Sequence, residues 1–214
     1  ARAGFDYIFN SAKWWDMKSP WLLEQYALTR EVAHSISFPE SHDTIRLAEE
    51  TNGNIDALRQ RYLFTALFSA GVMMTMGYEF GFRKKAHVVN SKPEDWERTG
   101  IDLTGYIREV NDIKGGHIVF QEDAPTGLLS NGDPNVLIIW KASTTSKDEA
   151  LIIINKDTYN SRHFHAESLR KFVQSGKPLI DVSPEHWMDY IPEPFSYDLR
   201  PGQGGIEGQG EGTP

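Results

Sequence analysis

The 214-residue chain has no cysteine, which excludes disulfides, thiolate catalysis and cysteine-based zinc sites. That absence suits a reducing compartment and slightly favours the cytoplasm, although many secreted enzymes also do without disulfides. No apolar run approaches the ~20 residues that a membrane-spanning helix requires. The opening stretch Ala1-Arg2-Ala3-Gly4-Phe5 lacks the apolar core of a signal peptide. Positive charge is scarce as well: the formal net charge is -8 and no basic run is longer than Arg83-Lys84-Lys85. A surface of that sign repels phosphate backbones, so neither nucleic acid nor membrane is expected as a partner.

What the chain does have is core-forming material. Hydrophobic residues make up 39%, with 6 Trp, 8 Tyr and 11 Phe, enough to exclude wholesale disorder. The first third alternates between two periodicities. Phe5 to Phe9 is a short aromatic and β-branched run that predicts a strand. Ser19-Pro20 predicts an N-cap with proline in the first helical turn, leading a helix through Leu22, Leu23, Tyr26, Ala27, Arg30 and Ala33. Ser35 to Phe38 predicts a second strand. Leu58, Tyr62, Leu63, Ala66, Leu67 and Ala70 mark a second helix, closed by Gly71. The apolar run Val72 to Met76 predicts a third strand, buried on both faces. Strand, helix, strand, helix, strand is the grammar of parallel α/β architecture. One more helix is expected over Asp102 to Lys114, with no fourth parallel strand after it.

The pattern changes after Gly115-Gly116. His117–Glu122, Val136–Ala142, Ala150–Asn155, Ser161–His165, Lys177–Val182 and Phe195–Leu199 read as short strands separated by turn clusters, the pattern of an antiparallel sandwich. From Gly202 the chain is glycine-rich and acidic and reads as a disordered tail. The expected division is therefore residues 1–115 α/β, 116–201 all-β, and 202–214 tail, with no internal repeat.

Chemistry-bearing residues concentrate in Phe38-Pro39-Glu40-Ser41-His42-Asp43-Thr44-Ile45-Arg46-Leu47, at the C-terminal end of the second strand. The C-terminal strand ends and their loops build the active sites of barrel enzymes. Taken alone, His42 reads better as a structural histidine and Asp43 as a cap for the helical segment that follows. A Ser-His-Asp triad is a poor reading of Ser41-His42-Asp43, because consecutive side chains diverge where triad members must converge. Trp14-Trp15 reads either as a sugar-stacking platform or as packing behind a helix. His163 and His165 share a strand face, but no further ligand lies near them in sequence. Trp140 sits in an apolar strand and Trp187 is the other tryptophan of the β-rich part.

The segment ending in His42-Asp43, with Arg46 close behind, resembles the fourth conserved region of the α-amylase family of glycoside hydrolases. Gly77-Tyr78-Glu79-Phe80-Gly81 is similar to that family's Gly-x-Glu-x-Gly ending of the last barrel strand, and a β-sandwich in third place is the family's usual order. The resemblance covers most of residues 4 to 201. It implies about the last three strands of a (β/α)8 barrel followed by a C-terminal antiparallel β-sandwich. It also implies a retaining mechanism, which sets nucleophile and acid about 5–5.5 Å apart across the scissile bond.

By match to the motif, Asp43 corresponds to the transition-state-stabilising Asp and His42 to the histidine that binds sugar hydroxyls. Arg46 and Glu40 are expected as supporting polar groups, with Trp15 and Glu79 as further candidates for substrate contact. Ser41 departs from the Asn common at its position, which bears on subfamily. The nucleophile and general acid would lie on earlier strands, since only Asp6 and Asp16 precede the first helix. The chain is thus expected to be a C-terminal part that needs the N-terminal half of the barrel, inert alone and prone to association. No cofactor and no metal are expected, and the expected ligand is an α-glucan or oligosaccharide. Two rival readings remain open: a non-catalytic glucan-binding or scaffold protein, and a glucosyltransferase or isomerase acting on trehalose, maltose or sucrose.

Overall fold

The computed structural model describes residues 4–174, 176, 178–185 and 188–208. Among these, three short strands run parallel in the order β1 (Tyr7–Phe9), β2 (His34–Ser37) and β3 (Gly71–Val72). Tyr7 pairs with His34, and Ile36 with Gly71. The crossovers are α1 (Trp21–Thr29) and then α2 (Leu47–Glu50) with α3 (Ile55–Phe68). Asn54 caps α3, its side chain accepting from Ala57 N at 3.1 Å. Leu58, Tyr62, Leu63, Phe64, Leu67 and Phe68 are all buried, so α3 is enclosed on most sides. A helix apolar on so much of its circumference belongs in the middle of a fold, and α3 packs on β2, β3, α4 (Thr104–Gly116) and the last of the described strands.

The second half is antiparallel. Strands β4 (Thr126–Leu129), β5 (Val136–Ala142), β6 (Glu149–Asn155), β8 (Ile180–Asp181) and β10 (Gly204–Gly208) pair in the order β4-β5-β6-β10-β8. Strands β7 (Arg162–Ala166) and β9 (Phe195–Leu199) pair separately. Leu137, Ile139, Ile152, Ile154 and Ile206 join the helical core around α3. Val136, Ile138, Leu151 and Ile153 pack instead with Phe164, Phe195 and Leu199. The larger sheet is covered on both faces, which is why β5 and β6 read as unbroken apolar runs.

Several expectations are corrected. Ser19 does not cap α1: its backbone N and Oγ donate to Asp16 Oδ1 at 3.0 and 2.9 Å, and the helix starts after Pro20. Gly71 does not close α3 but opens β3, where a Cβ would lie 2.9 Å from Ile36 Cγ1. The C-terminal carbonyls of α3 are satisfied by two lysine amines, one half-buried and one buried. Lys114 Nζ donates to Ala66 O and Ser69 O at 2.8 and 2.7 Å, and Lys141 Nζ to Leu67 O and Phe68 O at 3.0 and 2.8 Å. The run Val72 to Met76 leaves the sheet after Met73 N donates to Ser37 O, and Met74 and Met76 are exposed. His117–Glu122 is no strand; Ile118–Phe120 forms a 3-10 turn. The segment from Gly202, expected to be disordered, supplies β10 between β6 and β8. Strand β4 carried no sequence expectation.

The two ends of the parallel sheet differ. At the N-terminal ends of β2 and β3, the Asp123 carboxylate accepts from Ser35 N at 2.7 Å and from Ala70 N at 3.2 Å. Tyr26 OH donates to Ala124 O at 2.9 Å on the same side. That end is bolted to the segment after α4, and the C-terminal end carries the loops.

Candidate functional site

The loop after β2 is a tight turn on a buried ionic base. Ser41 N donates to Thr44 Oγ1 at 2.9 Å, Thr44 N to Ser41 O at 3.2 Å, and Asp43 N to Ser41 Oγ at 3.2 Å. Ser41 is therefore spent on closing the turn, and its hydroxyl is no nucleophile for His42. Beneath the turn, Glu40 and Arg46 are both buried and in direct ion-pair contact. The second carboxylate oxygen of Glu40 accepts from Leu47 N at 2.7 Å and so caps α2. Asp43 caps nothing, because α2 begins only at Leu47. Burial pushes the Glu40 carboxyl above its ordinary range, while the Leu47 N–H and the Arg46 guanidinium pull it back.

Arg46 also reaches across to the segment after β3. Its Nη2 donates to Met76 O at 2.6 Å and its Nε to Lys84 O at 3.1 Å, with the guanidinium 6.0 Å from the centre of the Phe82 ring. Thr75 Oγ1 donates to Glu40 O at 3.1 Å. Glu40 and Arg46 thus fasten two loops together from beneath and present no open face to a sugar. Both were expected as supporting polar groups, and both lie buried beneath the loops that they join.

This base holds His42 and Asp43 outward. Their side chains are 53% and 84% exposed, with His42 Nε2 3.3 Å from Asp43 Oδ2. They form one wall of an open cleft of about 310 Å³ whose other wall is Lys85, Ala86, His87 and Val88. Lys85 and His87 escaped the sequence reading, which took Arg83-Lys84-Lys85 as a solvated face. Nothing in that basic run distinguishes Lys85 from its neighbours until the loop is folded against His42.

Glu79 does not line the cleft. Its carboxylate accepts from Gly77 N at 2.9 Å and its carbonyl from Leu103 N at 2.8 Å. Gly77 (φ 90°) and Gly81 (φ 60°) are both left-handed, and a Cβ on Gly77 would come within 2.1 Å of Phe82 Cδ2. The glycines of Gly-x-Glu-x-Gly are thus required by backbone conformation and close approach, with Glu79 bracing the turn.

Trp15 is core: it is buried, its ring centroid lies 5.1 Å from that of Phe64, and its indole N–H donates to Ser19 O at 2.7 Å. Trp14 is the exposed member of the pair, edge-on to Phe38 at 5.9 Å, with Phe9 against Phe38 at 5.8 Å. It follows β1 at the same end of the sheet as His42.

Among the described residues, no group of three or more His, Asp or Glu side chains is arranged to hold a metal ion, and no helix is long and apolar enough to cross a membrane. His163 pairs with Asp198 at 2.7 Å and His165 with Glu167 at 3.7 Å, both at the surface. Trp140 is half-buried, its indole donating to Glu149. Trp187 lies outside the described residues.

No protein-family model matches the chain. An alpha-1,4-glucan:maltose-1-phosphate maltosyltransferase of Burkholderia pseudomallei (strain K96243) is 28% identical over 170 residues, covering 73% of this chain and 15% of that protein. The structure of an Anoxybacillus α-amylase superposes with a TM-score of 0.71 at 12% identity, over 99% of this chain and 48% of the other. The α-amylase of Geobacillus thermoleovorans, complexed with acarbose, gives 0.65 at 13% identity, over 95% and 46%. At such identities the structural likeness is one of fold: a parallel β/α segment followed by an antiparallel sheet, matching part of each enzyme. The chain spans about half the length of these structures and far less of the maltosyltransferase.

Proposed function

Because the chain is related to the α-amylase family of glycoside hydrolases, we propose that it is the C-terminal part of a retaining α-glucan hydrolase or transglycosidase. The observation that supports this reading is the His42–Asp43 pair, held outward over the cleft by a buried Glu40–Arg46 base. In this reading Asp43 faces the positive charge that develops at the anomeric carbon, and His42 donates to a sugar hydroxyl beside it. Contacts that strengthen as oxocarbenium character grows lower the barrier selectively. The nucleophile and the general acid would come from strands beside β1, in the half that this chain lacks. Residues 1–115 belong to the catalytic portion, and the β-rich portion from 116 extends through β10 to residue 208.

Two substrate readings follow from the relatives. Maltooligosaccharide hydrolysis accords with the acarbose-complexed amylase. Transfer from a glycosyl phosphate accords with the maltosyltransferase. The test uses the complete protein that carries this chain. Asp43→Asn should cost several orders of magnitude in turnover of maltooligosaccharide or of maltose 1-phosphate while the circular dichroism spectrum is retained. Equal turnover in both proteins removes Asp43 from the mechanism. Glucan binding with no turnover in either favours the non-catalytic binding reading instead.

A further inference from the structure

We propose that the joint between the helical layer and the β-rich part holds a binding site for a small monoanion, a carboxylate or phosphate group, with the Glu185 side chain as its built-in occupant. The site shares no lining residue with the cleft of His42 and Asp43 and stands independently of the glycan reading.

The site is a pocket of about 210 Å³ where the N-terminal halves of α3 and α4 meet the segment 200–204. Two arginines converge in it from the two parts of the chain. Arg59 of α3 lies with its guanidinium 5.3 Å from the centre of the Tyr106 ring, and its Nη1 is 3.2 Å from one carboxylate oxygen of Glu185. Arg200, just after β9, donates from Nη2 to the other oxygen at 2.6 Å. One carboxylate thus spans two guanidiniums, as an anionic ligand does in an arginine site.

Glu185 is held there at a cost. Its backbone is left-handed (φ 63°), a conformation unfavourable to any residue with a Cβ and concentrated at ligand clamps and switches. Its side chain is 35% exposed, so the contact is open to solvent. Around it two donors go unused: Arg59 Nε and Gln203 Nε2 are buried with no hydrogen-bond partner among the described residues, and both residues line the pocket. Gln203 is fixed through Oε1, which accepts from Arg200 N at 2.8 Å, leaving its amide nitrogen as the free end. A buried donor without a partner is a cost that a ligand oxygen removes.

The charges set the class of ligand. Asp56 and Glu185 balance Arg59 and Arg200 around the pocket as it stands. With Glu185 swung out, the two arginines exceed Asp56 by one positive charge, which one anionic group restores. The adjoining groove of about 480 Å³ carries Asp102 and Glu109, so a second anionic group on the same molecule is disfavoured.

The test is calorimetric titration of the complete protein with inorganic phosphate and with acetate, at constant ionic strength in chloride. Glu185→Gln removes the resident charge and keeps the side chain's size. It should bind phosphate, acetate or both at least about tenfold more tightly than the unaltered protein, the scale of one charge-assisted hydrogen bond. Whichever anion binds identifies the group that the site takes. Arg200→Gln added to Glu185→Gln should return the affinity to that of the unaltered protein or below. Gln203→Glu in the same background keeps the acceptor for Arg200 N, replaces the unpartnered amide by an oxygen, and should weaken binding by a similar factor. It serves as the test where the arginine variant fails to fold. No binding of either anion by Glu185→Gln overturns the proposal, as does equal affinity with and without the Glu185 charge. Binding that survives either added change in a folded protein places the anion elsewhere and overturns it too.

Discussion

The contact that matters most at the scale of single residues is a buried ion pair beneath the cleft. Glu40 and Arg46 were offered as part of a polar shell because charged residues at a strand end usually face the mouth. Periodicity cannot say which of two neighbouring charges turns inward, and here Glu40 and Arg46 do so while His42 and Asp43 do not. A buried pair is strongly destabilising to break but not to replace as a unit. Arg46→Met leaves the Glu40 carboxylate without its cation and should cost ~3–5 kcal/mol in urea denaturation. Glu40→Leu combined with Arg46→Met should recover much of that loss in stability. Activity should not return with it, because Arg46 also ties the His42 loop to Met76 O and Lys84 O. Stability and activity restored together would reduce the pair to core filling. Gly77→Ala puts a methyl into the Phe82 ring from a left-handed backbone. A loss of about 1–3 kcal/mol is expected from the backbone alone, before the clash is counted.

Among the elements, β10 departs furthest from what composition suggests. Gly204, Gly205 and Gly208 read as tail, yet Ile206 and the absence of side chains are what let this strand lie in the middle of a sheet. A Cβ on Gly204 would lie 2.1 Å from Leu63 Cδ2 of α3, so the glycine marks a close approach of sheet and helix rather than freedom. Removing residues 203–214 should therefore abolish cooperative unfolding of the β-rich part, where loss of a true tail would leave the melting curve unchanged.

Glu207 in the same strand is fully buried, neither carboxylate oxygen has a hydrogen-bond partner among the described residues, and burial, with Asp181 beside it, pushes its pKa up to about 9. Below about pH 4.5 the folded and unfolded chains both hold that proton. Between there and pH 9 only the fold does, so stability falls as pH rises through that window. Glu207→Gln should match the unaltered chain near pH 4.5 and exceed it by about 3 kcal/mol at pH 7, read from urea midpoints across pH. A constant difference between the two would remove Glu207 as the source.

The strands that were legible, β5 and β9 to the residue, are those whose pattern and burial agree. Met73 to Met76 misled because an apolar run says nothing about where backbone pairing stops. His117 to Glu122 misled because the Ile118-Val119-Phe120 run buries Val119 and Phe120 through a 3-10 turn. The motif pointed to His42 and Asp43, and the structure leaves both exposed at a cleft. Trp14 could not be told from Trp15, nor Lys85 from Lys84, because exposure and pairing are set by the far side of the fold.

For the whole molecule the question is what the parallel sheet does at its edges. Among the described residues, β1 pairs only with β2 and β3 only with β2, so each presents an unpaired backbone edge. The β1 side also carries Phe5, Tyr7, Phe9 and Trp14 in the open, with Met76 exposed beyond β3. Unpaired strand edges flanked by exposed aromatics are templates for further pairing. The other end of the chain does not share the problem. There the larger sheet is covered on both faces and tied to the helical layer through Lys141, whose Nζ reaches two carbonyls at the end of α3. The β-rich part should hold the parallel segment folded while its edges stay open. The isolated 214-residue chain should then be folded, catalytically inert and self-associating, its weight-average mass in sedimentation velocity rising with concentration. Tyr7→Lys with Phe9→Lys places charge on the β1 edge, as natural edge strands do, and should shift the chain toward monomer. A chain monomeric at every concentration would mean that the exposed edge is not what a missing half of the sheet would cover. Association that ignores the double substitution would place the contact elsewhere and leave β1 as a finished boundary.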